Sequence, residues 1–539
     1  MGVVGLDHGA LLLVPLILYI LFRLQQKAPA DFAESIPVVG LRNEVFKTAR
    51  ASFRQLLNGL KTITDGYREF SRHGKPFLIQ EPSFQKELML PPEHVKWALQ
   101  LPDSQVDSKD IRLERHAVGY LHKGVDFDST LFFLDRIIGD SLTRKLDMIQ
   151  QPMCEEIRSN IDSIFGDDET NWKTLNAYDS LQDIVLVSMS RVFFGSSLCH
   201  DQTFLTLYSR YILVMGIGTI VIGELPSALK GLIVPIINLP LRYYRRRTLN
   251  ALLPMTKERL SEYMEDQQKD FKEHYDFISQ SARVATKVNN APDTSNPESL
   301  AEWIMLLGFA AMSSTVIQSS NMLLDILHSP PEFQTYECLR EEASTVLARE
   351  DDWNHAPTFK KLQLADSVIR ESLRHHPILI KGLSKAVVAK SGLDLPDGTH
   401  VPHGSWLGVP VVGIHMDDRF YPNPQAYDPF RFVKLKEQRD LENSEKSDEN
   451  PTAKKKTRVN DLDAGQPTTT YLGFGYGRHA CPGRWFAVQM LKIMMAYLTI
   501  NYEIEAVGPR PETKTFGDAA LPPISANIHV RRRRGTACG

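Results

Sequence analysis

Apolar and polar positions alternate with helical spacing over most of the middle of the chain. In "LQDIVLVSMSRVFF" (181–194), "SLAEWIMLLGFAAMSSTVIQSSNMLLDILH" (299–328) and "KLQLADSVIRESLRHH" (361–376), apolar residues recur at intervals of three and four, which puts them on one helix face. Pro377 stops the third segment. Strand-like patterns are fewer and come later, as in "KAVVA" (385–389) and "WLGVPVVGIH" (406–415). No repeat of the solenoid type is visible. The pattern predicts a mainly α fold with a small β part.

Three stretches depart from amphipathic patterning. Residues 9–22, "GALLLVPLILYILF", are uncharged and apolar and span roughly 21 Å as a helix, short of the ~30 Å hydrocarbon core. Spanning requires Val3–Leu6 as well. Arg23 and Lys27 follow the run, whereas a cleaved signal carries its positive charge in front. An uncleaved anchor over 1–28, with its membrane-spanning part at about 9–24, therefore places the rest of the chain in the cytosol. A proline-containing hinge, 29–40, holding "PVVG" (37–40), then leads to the catalytic body, 41–539.

The second stretch, 211–247, is apolar and ends in Arg245, Arg246 and Arg247. It reads equally well as a core helix pair or as a flap resting on a membrane with the arginines among headgroups. The third, "KLKEQRDLENSEKSDENPTAKKKT" (434–457), has too little apolar surface to offset ordering and is expected to be a mobile insertion.

With 539 residues, 42% hydrophobic content and a net charge of −3, the chain has a sizeable core and no nucleic-acid stripe. The five cysteines (154, 199, 338, 481 and 538) are scattered and form no CxxC pair, which excludes a disulfide framework and a structural zinc site. No Asn-x-Ser/Thr sequon is present.

One cysteine stands in unusual company. "FGYGRHACPGRW" (474–485) surrounds Cys481 with Gly475, Gly477 and Gly483. A nucleophilic thiol needs a base in reach, and the nearby His479 is not guaranteed to contact it. Zinc needs more ligands than the surroundings offer. Haem ligation needs one thiolate and small residues that admit a flat ring, which the glycines supply.

"FGYGRHACPG" resembles the cysteine-ligand motif of the cytochrome P450 family, F-x-x-G-x-R-x-C-x-G. Five of the six fixed positions match in order, and the arginine position holds His479. The resemblance implies that Cys481 is the axial ligand of haem iron. Phe474 then packs near the sulfur, Gly477 turns the loop, His479 bonds a propionate, and Gly483 sits where the next helix passes the ring. It further implies that Glu371 and Arg374, three apart and so on one helix face, join Arg431 of "YPNPQAYDPFRF" (421–432) in a buried charge network. Spacing alone does not single them out, since Glu69/Arg72, Glu155/Arg158 and Glu337/Arg340 share it. In the family's oxygen-handling segment, "FAAMSST" (309–315) places Ala310 and Ala311 at the small positions. Ser313 stands at the acid position and Ser314 at the usual threonine, followed by Thr315. Lys385 takes the place of a propionate-binding arginine. "SLTRKL" (141–146) is similar to the end of the family's third helix, with Arg136 one turn away from a propionate contact.

As a member of that family, the chain is expected to adopt the P450 fold and to bind haem b. It is further expected to use dioxygen with electrons from a separate NADPH-dependent flavoprotein reductase. Its resemblance is to fungal microsomal members that oxidise lipophilic terpenoids, alkaloids or polyketides from the endoplasmic reticulum membrane, anchored by a single pass. Ser313 in place of an acid keeps open a haem-thiolate isomerase, dehydratase or coupling enzyme that inserts no oxygen.

Overall fold

The computed structural model describes residues 32–115, 117–122, 137–265, 276–287, 296–449 and 461–535. The expected anchor, 1–28, lies outside these residues, as do 29–31 of the hinge and Arg136.

The helix Pro297–Leu327 runs through the main hydrophobic core. Its start follows from sequence: Asn296 accepts the N–H of Glu298 through Oδ1 at 2.9 Å, and Pro297 fills the first helical position, where its missing N–H costs nothing. Trp303, Ile304, Met312, Val316 and Leu323 bury its sides. Against it lie Ala177–Phe194, capped by Asn176, and the two helices that frame the site, Gln363–His375 and Arg484–Asn501. The three amphipathic segments are thus helices, with ends within a few residues of those expected.

A six-stranded mixed sheet forms a second layer, in the order Val38–Val39, Phe77–Gln80, Lys86–Met89, Trp406–Val409, Gly382–Val387, Val106–Asp107. Leu88 pairs with Leu407 and Lys385 with Leu407 on its other side, so two distant parts of the chain share this layer. Two expectations change here. "PVVG" is not a free hinge, because Val38 and Val39 pair in parallel with Leu78 and Ile79. "WLGVPVVGIH" is a strand only as far as Val409. Pro410 has no N–H to continue the ladder, and a short helix, Val411–His415, follows it.

The apolar stretch 211–247 lies on two packed helices, Gln202–Gly223 and Ser227–Glu265. The pair has one buried face and one exposed apolar face. Tyr208, Tyr211, Met215 and Ile222 are buried, while Leu213, Ile217, Leu232, Ile236, Leu239 and Tyr243 are exposed. Arg245 turns inward to an ion pair with Glu302, leaving Arg246 and Arg247 exposed. By length and composition alone, Gln202–Gly223 and Pro297–Leu327 could cross a membrane, although half of the latter's apolar window is buried in the protein.

The polar stretch from 434 begins as helix rather than as a mobile insertion: Arg431–Glu449 is one helix. Its first turns are tied down by Lys434 to Asp428 at 3.1 Å, Lys436 to Gln363 at 2.5 Å and Arg439 to Asp461 at 2.5 Å. Polar anchoring at the proximal end substitutes for a buried face. Residues 450–457 lie outside the described residues.

Candidate haem-thiolate site

A cavity of about 1890 Å³ separates the Cys481 loop from the Pro297–Leu327 helix, and Cys481 is exposed into it. The loop is shaped by backbone conformation. Gly475 and Gly477 have φ of 71° and 73°, a region that side chains disfavour. A short 3₁₀ turn covers Gly477–His479, and the Cys481 N–H donates to Phe474 O at 2.8 Å, closing the loop on itself. Arg484 donates to Cys481 O at 2.8 Å. Beneath the loop, the π-helical segment Ile138–Thr143 holds Pro482 O through Thr143 Oγ1 at 3.4 Å. "SLTRKL" therefore overlaps the end of this π turn and the start of Leu146–Phe165. A Cβ added to Gly483 would meet only Ile138 Cγ2, at 3.9 Å, so this side of the loop is open.

Ala310, Ala311, Ser313, Ser314 and Thr315 line the same cavity. Each hydroxyl donates to a carbonyl of its own helix: Ser313 to Phe309 O at 2.8 Å, Ser314 to Ala310 O at 2.9 Å, Thr315 to Ala311 O at 2.8 Å. Their oxygen lone pairs face outward as acceptors. Among the described residues, the carboxylates lining the cavity are Asp183, Glu224, Glu512 and Asp518, none of them on this helix.

Behind the loop lies a dry charged brace. Glu371 and Arg374 are fully buried and joined by two bonds of 2.7 and 2.8 Å. Arg431 Nε reaches both Glu371 oxygens at 3.1 Å. The remaining guanidinium donors go to the carbonyls of His415, Pro422, Pro424 and Ala426. Thus the three residues expected to meet do so. The decoys are different: Glu337–Arg340 is a half-exposed ion pair, Arg158 pairs with Glu350, and Arg72 with Asp418.

Sequence reasoning missed the residues joining this brace to the loop. His415 is fully buried; Nδ1 donates to Arg374 O at 3.0 Å and Nε2 accepts the N–H of Leu472 at 2.9 Å. That arrangement needs a neutral ring, and burial, with Arg374 adding, drives its pKa down to about 3. Tyr471 stacks on His415, and the Arg370 guanidinium lies over Tyr471 and Phe432. Only "IH" at the end of an apolar run hinted at His415. Replacing it, His415→Phe, strands a buried donor and a buried acceptor. At about 1–3 kcal/mol for each, the urea midpoint is expected to fall clearly while a surface control such as His400→Phe leaves it unchanged.

His479 faces the cavity and is exposed. Lys385 is buried on Gly382–Val387 and spends one N–H on Ala98 O at 2.9 Å, leaving two of its three donors. Burial, and then Arg478, lowers its pKa. A second charged cluster also went unforeseen: Lys381 contacts Glu81, Glu87 and Asp518 at 2.5, 2.6 and 2.9 Å, and Arg115 joins Glu87 and Asp518.

The donor set fits an iron porphyrin. Cys154 and Cys199 are buried, with burial raising each thiol to about 12, so neither offers a thiolate to a cavity. Cys481 alone among the described cysteines borders this one, between positive-φ glycines and a wall of alanines. The cytochrome P450 family model matches residues 71–530. The chain is 46% identical to cytochrome P450 monooxygenase efuH of Hormonema carpetanum, covering 93% of this chain and 87% of that protein. It is 45% identical to cytochrome P450 monooxygenase fsoD of Humicola fuscoatra, covering 94% of each. Retinoic acid-bound cyanobacterial CYP120A1 shares the fold, with a TM-score of 0.62 at 16% identity over 89% of this chain and 96% of that one.

The family match and the fold define a haem-iron oxidoreductase. The chain belongs to the cytochrome P450 family and is a haem-iron monooxygenase, similar to these fungal cytochrome P450 monooxygenases. Its family implies dioxygen, a small-molecule substrate and a redox partner.

Proposed function

We propose that this enzyme oxidises a lipophilic secondary metabolite of terpenoid, alkaloid or polyketide type, using haem b and electrons from a separate NADPH-dependent flavoprotein reductase. The observation that carries this reading is Cys481 opening into a large, mostly apolar cavity opposite Ala310–Thr315. Cys481 would be the axial ligand, and bound haem supplies the activation of dioxygen. Phe474 and the positive-φ Gly477 fix the ligand loop, and Gly483 leaves space at its end. His479 and Lys385 are donors available to propionates. Glu371, Arg374 and Arg431 hold the loop's support without touching the reacting atoms.

Leu307, Phe309 and Ile212 give the substrate side an apolar lining. Ala310 and Ala311 leave room for a diatomic ligand. A proton held on Ser314 Oγ is committed to Ala310 O, so passing it on requires the hydroxyl to rotate; Ser313 and Thr315 are tied in the same way. Water bound to these outward lone pairs is the accessible proton source in place of a carboxylic acid. Replacing Ser314 by Ala is therefore expected to lower product per NADPH by less than the roughly hundredfold that a dedicated catalytic acid is worth. Product and NADPH assayed together check this.

The exposed Leu232, Ile236, Leu239 and Tyr243, with Arg246 and Arg247 beside them, support association with an anionic membrane surface. Together with the apolar residues 9–22, they support a single-pass protein of the endoplasmic reticulum with its body in the cytosol. Product mass under isotopically labelled dioxygen tests the reaction. One labelled oxygen per product is expected; an unlabelled product would favour an isomerase, dehydratase or coupling enzyme.

A further inference from the structure

We propose that Glu224 orients the substrate by hydrogen-bonding a hydroxyl group carried on its otherwise apolar skeleton. This rests on the reading above that the cavity takes a lipophilic metabolite, and it adds the polar feature that such a molecule must present.

Glu224 occupies the short link between Gln202–Gly223 and Ser227–Glu265 and lines the cavity. Of the other cavity carboxylates, Asp183 and Glu512 are exposed. Asp518 commits its Oδ2 to Lys381 at 2.9 Å and Arg115 at 3.1 Å, and its partnerless Oδ1 is sealed from the cavity by burial. Glu224 is different. Its Oε1 accepts only the long N–H bond of Asp518, 3.4 Å, and its Oε2 has no hydrogen-bond partner among the described residues.

The opposite wall is shaped to receive it. The turn between the strands Lys514–Phe516 and Ala519–Leu521 carries Gly517 at φ 55°, and a Cβ there would overlap the Glu224 carboxyl. Gly517 N–H is tied to Leu56 O at 2.8 Å, so the turn cannot easily withdraw. A glycine thus seats a carboxyl group beside a cavity whose other walls are largely Leu, Ile, Val and Phe.

Charge selects the ligand chemistry. Lys381 and Arg115 are already paired with Glu81, Glu87 and Asp518, so they do not offset the repulsion that an anionic group meets at Glu224 and Asp518. A neutral hydroxyl avoids that repulsion and, unlike an ammonium, does not need the carboxyl ionised. Burial first, and Asp518 second, raise Glu224 to about 7, so near neutrality it is present both as an acid that donates and as a carboxylate that accepts. The volume is also suitable. Ligand sites commonly measure roughly 300–1,000 Å³, and 1890 Å³ leaves room for a polycyclic molecule beside a porphyrin.

The test uses the full-length protein and its Glu224→Leu and Glu224→Gln variants. Each is first shown by its reduced, carbon monoxide-bound spectrum to carry thiolate-ligated haem, so that loss of the site itself is seen separately. Binding is measured by equilibrium dialysis for cholesterol and farnesol, for their O-methyl ethers, and for their primary-amine counterparts. The parental protein is expected to bind at least one alcohol about tenfold more tightly than its ether, the worth of one such bond. Glu224→Leu should remove that preference by weakening the alcohol and not the ether, and Glu224→Gln should keep most of it. Failure of both alcohols to bind, equal binding of alcohol and ether, tighter binding of the amine, or an undiminished preference in Glu224→Leu would each overturn the assignment.

Discussion

Cys481→Ala is expected to abolish product formation and the red-shifted Soret band of the reduced, carbon monoxide-bound protein. The reason lies in the geometry around the loop. Among the described residues lining the cavity, no other thiol is present, and Cys154 and Cys199 are held by burial in forms that do not ligate. The substitution removes one sulfur and leaves the backbone that positions it. Phe474 O still receives the N–H of residue 481, and Gly475 and Gly477 keep their φ angles. A correctly folded protein without thiolate ligation is therefore the outcome, checked by circular dichroism beside the carbon monoxide spectrum. An alanine variant that kept both the band and the parental turnover would exclude Cys481 as the ligand.

Glu371→Gln is expected to have the second large effect, this time on the fold. Glu371 is the one carboxylate to which both Arg374 and Arg431 donate, and all three side chains are buried. Removing its charge leaves two guanidinium groups short of compensation in a dry interior, at a cost of about 3–5 kcal/mol. Whole domains are stable by only about 5–15 kcal/mol. The variant should accumulate poorly and bind little haem, as read from soluble yield and haem-to-protein ratio. Glu337→Gln supplies the control. It weakens a half-exposed pair of the same Glu-x-x-Arg spacing and a second contact to Arg533, which keeps Glu503 as a partner, each worth about 0–1 kcal/mol, and should leave both measures intact. Equal behaviour of the two variants would remove the brace from the account.

This contrast also shows where sequence reasoning runs short. Four Glu-x-x-Arg spacings are present, and the spacing guarantees only a shared helix face. Glu371–Arg374 is buried because its helix is covered by the segment Tyr421–Phe432 and by the helix Arg484–Asn501 that follows the Cys481 loop. Neither neighbour is close in sequence. The stretch from 434 misled for a related reason. Its composition is too polar for a core, yet its first turns are held by contacts to Gln363, Asp428 and Asp461 that composition does not reveal. Pro410 was legible and was underweighted: a residue without an N–H inside a strand pattern marks the place where pairing ends.

The cluster of Lys381, Arg115, Glu81, Glu87 and Asp518, and the placement of Glu224 beside it, belong to another class of feature. The members come from five separated segments, with no motif linking them. His415 is similar, since its importance lies in two backbone partners, Arg374 O and Leu472 N, that any histidine could have found or missed.

By itself the sequence determined the helical segments, the loop around Cys481 and the order of the family's motifs, because periodicity and backbone-permissive glycines act over a few residues. Tertiary structure alone decided which charged pair is buried, what supports the ligand loop and which polar group the apolar cavity offers its substrate. Those properties depend on desolvation, and how far a side chain is removed from water is set by neighbours tens to hundreds of residues away in sequence.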